Sequence, residues 1–451
     1  MVTHQRRTGP PAAAHFTSRA PALLCDATWY GTLAAARDLG SRGVPITLAC
    51  DEGLAPSRWS RYVTSTVRCP GTRKHDRFLS WLHDFGDRNP GHVLYPTSDD
   101  AAWLISKDRQ ALAAKYRLYA PPLEALATLL DKARLTEAAR AAGLDVAETW
   151  LPENASDVER IARDARFPLF VKPRTQLLGT EGFKGGRVDR REDLVRIWSA
   201  SLMPAERELQ LGTSMQGVGR PLLMECYPTS ETVFTVDGFV AESGQMVALG
   251  CNKLLQRPRR LGAGIIFEHA SIPSRVVLGL ERMLREAGYF GVFDVEFVTD
   301  GDRVMLIDIN PRFYNHMAFE IDRGLPLPWL SYLGALGDGE ALESALQAAR
   351  ADVQEAAGAR RRAYVHRLPT RLMLALQGLF GNMSDAERLR WRAWLGEHSG
   401  HITDPTTTAA DRLPGVADVA FHLLNFLRHP RAFVRDLGCV RPVSGGAHVR
   451  R

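Results

Sequence analysis

The chain has 451 residues, 45% of them hydrophobic, with 57 Lys plus Arg against 51 Asp plus Glu for a formal net charge of +6. That length predicts two to four domains with ample cores. The six cysteines, Cys25, Cys50, Cys69, Cys226, Cys251 and Cys439, include no Cys-x-x-Cys pair. They read as reduced thiols of a cytoplasmic protein. The basic balance comes without zinc spacing, a helix-turn-helix signal or an aromatic RNP-like run, which argues against a nucleic-acid partner.

Residues 1 to about 20 mix Arg, Pro, Ala and Ser without periodicity and read as a disordered lead. They lack the roughly 7–15-residue apolar core of a signal peptide. From Ala22 an apolar run, an Ala-rich amphipathic stretch between Gly31 and Gly40, and the run Val44 to Cys50 form a β-α-β pattern within a first domain of residues 21–120. A later strand of that domain ends at His92 to Asp99. Loops past strand C-termini bind ligands in such sheets, so Asp26 and Asp99 are either substrate contacts or helix N-caps, with capping the favoured role.

Asp131-Lys132 opens a helical run that ends at Gly143, and Phe167 to Pro173 is an apolar strand carrying Lys172. Gly179 to Gly186 holds four glycines in eight residues, which lets backbone N–H groups approach phosphate oxygens. Its spacing is not that of a P-loop. Leu222 to Pro228 reads as a strand entering a turn, with Glu225 and Tyr227 inside it and Glu231 just beyond. Asn252, Lys253 and Arg257 to Gly262 read as a basic, glycine-containing loop, either a device for neutralising phosphate or carboxylate or a solvated charge run.

The chemistry concentrates between Gly291 and Arg312. Strand alternation places Phe293, Val295 and Phe297 on one face and Asp294 and Glu296 on the other, and it puts Asp308 and Asn310 together on the next strand. A two-residue Asp-Gly turn would send Asp308 away from Glu296. A three-residue loop, Asp300-Gly301-Asp302, is therefore predicted. It would pair Asp294 with Asp308 and leave Glu296 diagonal to Asp308 at roughly 7–8 Å, a separation suited to carboxylates sharing Mg²⁺. Taken alone, the stretch also reads as a surface hairpin with solvated acids. The chain has only seven lysines, Lys74, Lys107, Lys115, Lys132, Lys172, Lys184 and Lys253. Ordinary cationic positions are filled by Arg, so an ammonium kept at a motif position reads as chosen for a task that guanidinium does less well.

The run Asp308-Ile309-Asn310-Pro311-Arg312 resembles the Glu-x-Asn-Pro-Arg signature of ATP-grasp enzymes, in the carboxylate-amine ligase and carbamoyl-phosphate-synthase-like branch. The resemblance spans about residues 22–335, with the separate motifs in the family's order. It implies a mixed α/β and α+β fold, in which a Rossmann-like lead domain precedes a two-lobed ATP-grasp domain at 121–335 whose flexible small lobe covers about 165–230. It also implies ATP and Mg²⁺, with Mn²⁺ as an alternative ion. By the same resemblance Lys132, Lys172 and Lys184 reach the phosphates, Glu225 and Tyr227 belong to the adenine-holding hinge, and Glu231 serves the ribose. Glu296, Asp308 and Asn310 are the implied metal ligands, and Arg312, Lys172 and Lys253 the implied catalytic cations. Two departures stand out: Asp308 replaces the branch's more usual Glu, and Phe313 to Met317 replaces its aromatic-Gly-Ser pattern.

The implied reaction is phosphorylation of a small-molecule carboxylate by MgATP, followed by attack of an amine on the acyl phosphate to give an amide or peptide bond. A kinase that stops at a phosphorylated product, a biotin-dependent carboxylase and a nucleotide-gated binding protein are the alternatives. No lysine follows Lys253, so a biotin carrier would have to be a separate protein. The segment 336–451 reads as a basic, mainly helical C-terminal domain. From Arg360 onward it holds fifteen Arg and seven acids, a net of +8 against +6 for the whole chain. Its apolar runs Leu372 to Leu376 and Phe421 to Leu427 are far shorter than the roughly 18 residues that span a bilayer. Peripheral contact with anionic lipid or an acidic protein, and a homodimer, are left open.

Overall fold

The structure is a computed structural model that describes residues 19–50, 53–179, 185–226, 233–258, 262–300, 303–358 and 362–438. Apart from Arg19 and Ala20, the expected disordered lead lies outside these residues. So do Lys184, Tyr227, Glu231, Arg259 and Arg260.

The first layer is a five-stranded parallel sheet in the order Val63–Arg68, Ile46–Cys50, Ala22–Leu24, Val93–Leu94, Arg117–Leu118. Its central strands are buried on both faces, as parallel strands between helices require. Helix Tyr30–Ser41 begins against the residues that follow the signature. A Cβ on Gly31 would lie 2.3 Å from the Tyr314 carbonyl oxygen, so only hydrogen fits there.

The central layer is an eight-stranded mixed sheet in the order Ile402–Thr403, Ala363–Val365, Ala263–Ala270, Met246–Arg257, Val233–Val240, Gly291–Asp300, Arg303–Asn310, Asp145–Val146. Phe293, Val295 and Phe297 are fully buried on one face with Leu126, Leu280 and Met283, which leaves the opposite face to the acids. A separate four-stranded antiparallel sheet, Thr149–Trp150, Leu222–Glu225, Leu169–Lys172, Gly186–Val188, has its own core of Val158, Leu169, Val171, Trp198 and Leu223. Leu169 and Val171 turn into that core, so alternation turns Lys172 out of it.

The chain beyond Gly337 is mainly helical, and it lends the strands Ala363–Val365 and Ile402–Thr403 to the edge of the central sheet. Among the described residues no helix is long and apolar enough to cross a membrane. Cys25, Cys50, Cys69, Cys226 and Cys251 are free thiols.

One buried carboxylate ties this C-terminal part to the rest. Asp418, on helix Leu413–Arg428, accepts from the Tyr30 hydroxyl at 2.8 Å and lies 3.0 Å from His366 Nε2 and 3.4 Å from His422 Nδ1. Burial alone would raise its pKa, but the two imidazoles carry it well below the ordinary carboxylate value. A depressed carboxylate contributes stability that is fully present above its unfolded pKa, about 3.9, and is lost as pH falls toward the folded value. Melting measured against pH is therefore expected to show Asp418→Asn less stable than the parent at neutral pH, with the gap closing below about pH 4. A gap independent of pH would contradict this role.

Candidate active site

The register of the acidic hairpin differs from the predicted one. Asp300 pairs with Arg303, so the odd residue is not in the turn; Ile307 is a one-residue bulge between the pairs Glu296–Asp308 and Phe297–Leu306. Asp294 consequently faces Asn310 rather than Asp308, and Glu296 faces Asp308 directly instead of diagonally. Directly opposed residues stand roughly 4.5–5.5 Å apart at Cβ, closer than the predicted diagonal. Glu296 and Asp308 share one face, as expected, but a bulge achieves it, and bulges take a carbonyl out of the ladder. That of Ile307 accepts the Lys172 ammonium at 2.6 Å.

Around this pair stand three of the seven lysines, each delivered by a different element. Lys132 begins helix Lys132–Ala141 and donates to Asp308 at 2.7 Å. Lys172 ends its small-lobe strand with its ammonium 4.0 Å from the other oxygen of Asp308. Lys253 pairs with Glu296. Lys253 and Asn252 lie inside the strand Met246–Arg257, not in the expected loop, because the ladder with Ala263–Ala270 continues past them to Arg257.

Burial by itself would raise the carboxyl of Asp308, yet Lys132 and Lys172 bring it down to about 2. Burial likewise opposes ionisation of Glu296, and Lys253 overrides it to a lowered value. Lys172 is itself pushed down to about 8, chiefly by burial and further by Lys132, with Asp308 acting against the shift. The site is thus a set of ionised, desolvated groups held by mutual charge, the arrangement that concentrates perturbed groups at functional sites.

Asp131 aligns the two phosphate-lysine candidates. It caps the Lys132 helix through the Ala133 N–H at 3.0 Å and receives the fork of Arg174, two residues past Lys172. The Lys132 N–H also donates to the Arg174 carbonyl at 2.8 Å. Between the central and four-stranded sheets, Leu222, Met224 and Leu306 line a pocket that opens onto Lys132, Lys172 and Ile307. Thr136 and Thr149 line it as well, so the pocket is mixed in character, and its two ammonium groups suit an anion. Glu225 closes the strand beside this pocket, its N–H on the Glu148 carbonyl at 2.9 Å.

Arg312 is committed on three sides: Nε to Asp99 at 2.8 Å, Nη2 to Asn310 Oδ1 at 2.9 Å and Nη1 to the Phe313 carbonyl at 2.9 Å. Asp99 is therefore no N-cap; Ser98 caps that helix, accepting from the Ala101 N–H. Asp26 is not one either. Its backbone has φ 51°, and its carboxylate accepts from Thr72 at 3.1 Å and Thr97 at 3.2 Å.

Residues 313–317 turn inward, with Phe313, Tyr314, His316 and Met317 buried. Asp237, Cys251, His316 and Glu320 bring their polar atoms within 4.8 Å of one another. Asp237 accepts from Thr235 at 2.9 Å and Cys251 at 3.3 Å and lies 3.2 Å from His316, while Arg323 holds Glu320 at 2.8 Å. Burial pushes Asp237 up to about 6 and Glu320 up to about 7. With the Arg323 guanidinium already supplying positive charge, this network is a brace beneath the acidic strands. Its members are scattered from 235 to 323, and no local spacing announces them.

Solved structures of similar fold include a biotin carboxylase–β,γ-ATP complex from Campylobacter jejuni, at 16% identity, covering 70% of this chain and 70% of that one, with a TM-score of 0.55. N5-carboxyaminoimidazole synthetase from Staphylococcus aureus matches at 13% identity, over 70% of this chain and 78% of that one, with a TM-score of 0.52. The biotin carboxylase domain dimer of 2-oxoglutarate carboxylase from Hydrogenobacter thermophilus, in complex with MgADP, matches at 16% identity over 70% and 69%, with a TM-score of 0.55. No family model and no curated protein matches the chain. The protein has the ATP-grasp fold: a parallel lead domain, a small antiparallel lobe and a large central sheet around one cleft.

Replacing Lys172 by Ala is expected to weaken ATP binding roughly 10–100-fold, the effect of removing one charge-assisted contact. Lys115→Ala, which loses a pair with Asp87 and a bond to the His83 carbonyl, is expected to leave binding unchanged. Because the Lys172 ammonium loses its proton as pH rises through about 8, affinity in the parent should fall on the alkaline side. Titration with a fluorescent ATP analogue reads all three. Equal affinity in Lys172→Ala and the parent would refute the assignment.

Proposed function

We propose that this chain is an ATP-dependent carboxylate-amine ligase that activates a small-molecule carboxylate as an acyl phosphate and passes it to an amine. The observation that carries the reading is Asp308, ionised between Lys132 and Lys172 and directly opposite Glu296. Glu296, Asp308 and the amide oxygen of Asn310 are hard oxygen donors on adjacent strands, with both carboxylates held in the charged form. That donor set fits Mg²⁺, which when bound there would offset the phosphate charge.

The chain's own groups do the rest by position and charge, since phosphoryl transfer leaves little covalent work to side chains. Lys132 and Lys172 line the pocket between the central and four-stranded sheets and hold the phosphate tail. Lys253, on the far side of Glu296, supplies positive charge toward the incoming carboxylate. Arg312 keeps Asn310 in place and carries Asp99 of the lead domain to the cleft, so the carboxylate and amine would enter between the lead domain and the central sheet.

Purified protein with MgATP and pooled carboxylic acids, with and without pooled amines, is expected to release ADP and phosphate with formation of an amide found by mass spectrometry. Lys172→Ala should abolish the release. ADP formed at full rate without amine, leaving a stable phosphorylated product, would replace the ligase by a kinase; dependence on bicarbonate would replace it by a carboxylase.

A further inference from the structure

The helix Leu413–Arg428 has two faces of different character. Pro414, Ala417, Asp418 and His422 are buried, and Asp418 and His422 fix the helix to Tyr30, His366 and Arg257. On the outer side Leu413, Val416, Val419, Leu423, Phe426 and Leu427 are 40–67% exposed. Steps of three and four residues keep them in one stripe about 20 Å long. Single exposed apolar residues are ordinary, but a continuous row marks an interaction face.

We propose that this face seats the protein on an anionic phospholipid surface. The charge around the stripe selects the occupant. Arg412, Arg428, Arg431 and Arg435 are exposed at its ends and on the following helix, Pro430–Gly438. From Arg412 to Gly438 the acids are Asp418, spent on the buried node, and Asp436. An outward apolar stripe with basic ends and almost no acid is the pattern of helices that lie in the headgroup region of acidic bilayers. The turn Pro56–Trp59 packs beside this helix and presents Trp59 at 45% exposure, a side chain suited to the bilayer interface. A second copy of the chain is a poor fit, because pairing two such stripes would crowd arginine rims together with no acids to balance them. At 16 residues, the helix would lie along the surface rather than cross it.

The test is flotation of the full-length protein with vesicles of phosphatidylcholine alone and of phosphatidylcholine mixed with phosphatidylglycerol. The protein is expected to float with the mixed vesicles at low salt and to stay behind with phosphatidylcholine. Leu423→Glu with Leu427→Glu should abolish flotation, and Arg428→Gln with Arg431→Gln should weaken it roughly tenfold or more. All four positions are exposed, so an unchanged melting temperature in each variant separates lost binding from lost folding. Absence of flotation with the mixed vesicles, or flotation unaffected by the double Glu variant, overturns the proposal. So does a lipid-independent dimer that the Glu variant dissolves, which would assign the face to a second copy.

Discussion

The pairing of Asp308 with two lysines on a bulged strand is the interaction on which the rest of this structure depends. Charges removed from water are tolerated only with close partners, and an unpartnered one is strongly destabilising. Here the carboxylates come from the central sheet, one ammonium from a helix start, one from the small lobe and one from a further strand of the central sheet, beyond Val233–Val240. Satisfying these charges therefore also sets where the lobes meet. Lys172 adds a second tether by reaching the carbonyl that the Ile307 bulge takes out of its ladder.

The surrounding layers serve that arrangement. The lead domain is pressed onto the signature through Gly31 against Tyr314 and drawn to it by Asp99 on Arg312. The C-terminal part closes one edge of the central sheet and is pinned to the lead domain by Asp418 on Tyr30. Beneath the acidic strands lies the polar network of Asp237, His316, Glu320 and Arg323, linked by His316 to Asp237 and by Arg323 to Glu320.

The sequence exposed the parts of this site that are written locally. Strand alternation puts Glu296, Asp308 and Asn310 on common faces; the family resemblance picks out Lys132 and Lys172, the scarcity of lysine supports them, and the fold brings both to the same carboxylate. What it could not show is where the odd residue of the hairpin falls. A turn and a bulge shift the register alike, and the structure puts the shift at Ile307, whose carbonyl accepts from Lys172. By sequence Lys253 reads as a loop residue because the glycine and arginines after it dominate the local pattern. Asp99 read as a cap because its partner, Arg312, lies 213 positions away. The outer stripe of Leu413–Arg428 was half legible: the apolar run was visible, but which side faces out depends on Asp418 finding Tyr30 and His366.

The most direct test of the central claim is calorimetric titration of ATP into the parent and into Asp308→Asn, each with Mg²⁺ and with the ion chelated. The account predicts tight binding by the parent that depends on Mg²⁺, and weaker binding by the variant that no longer responds to the ion. ATP affinity that is indifferent to both Mg²⁺ and residue 308 would contradict it.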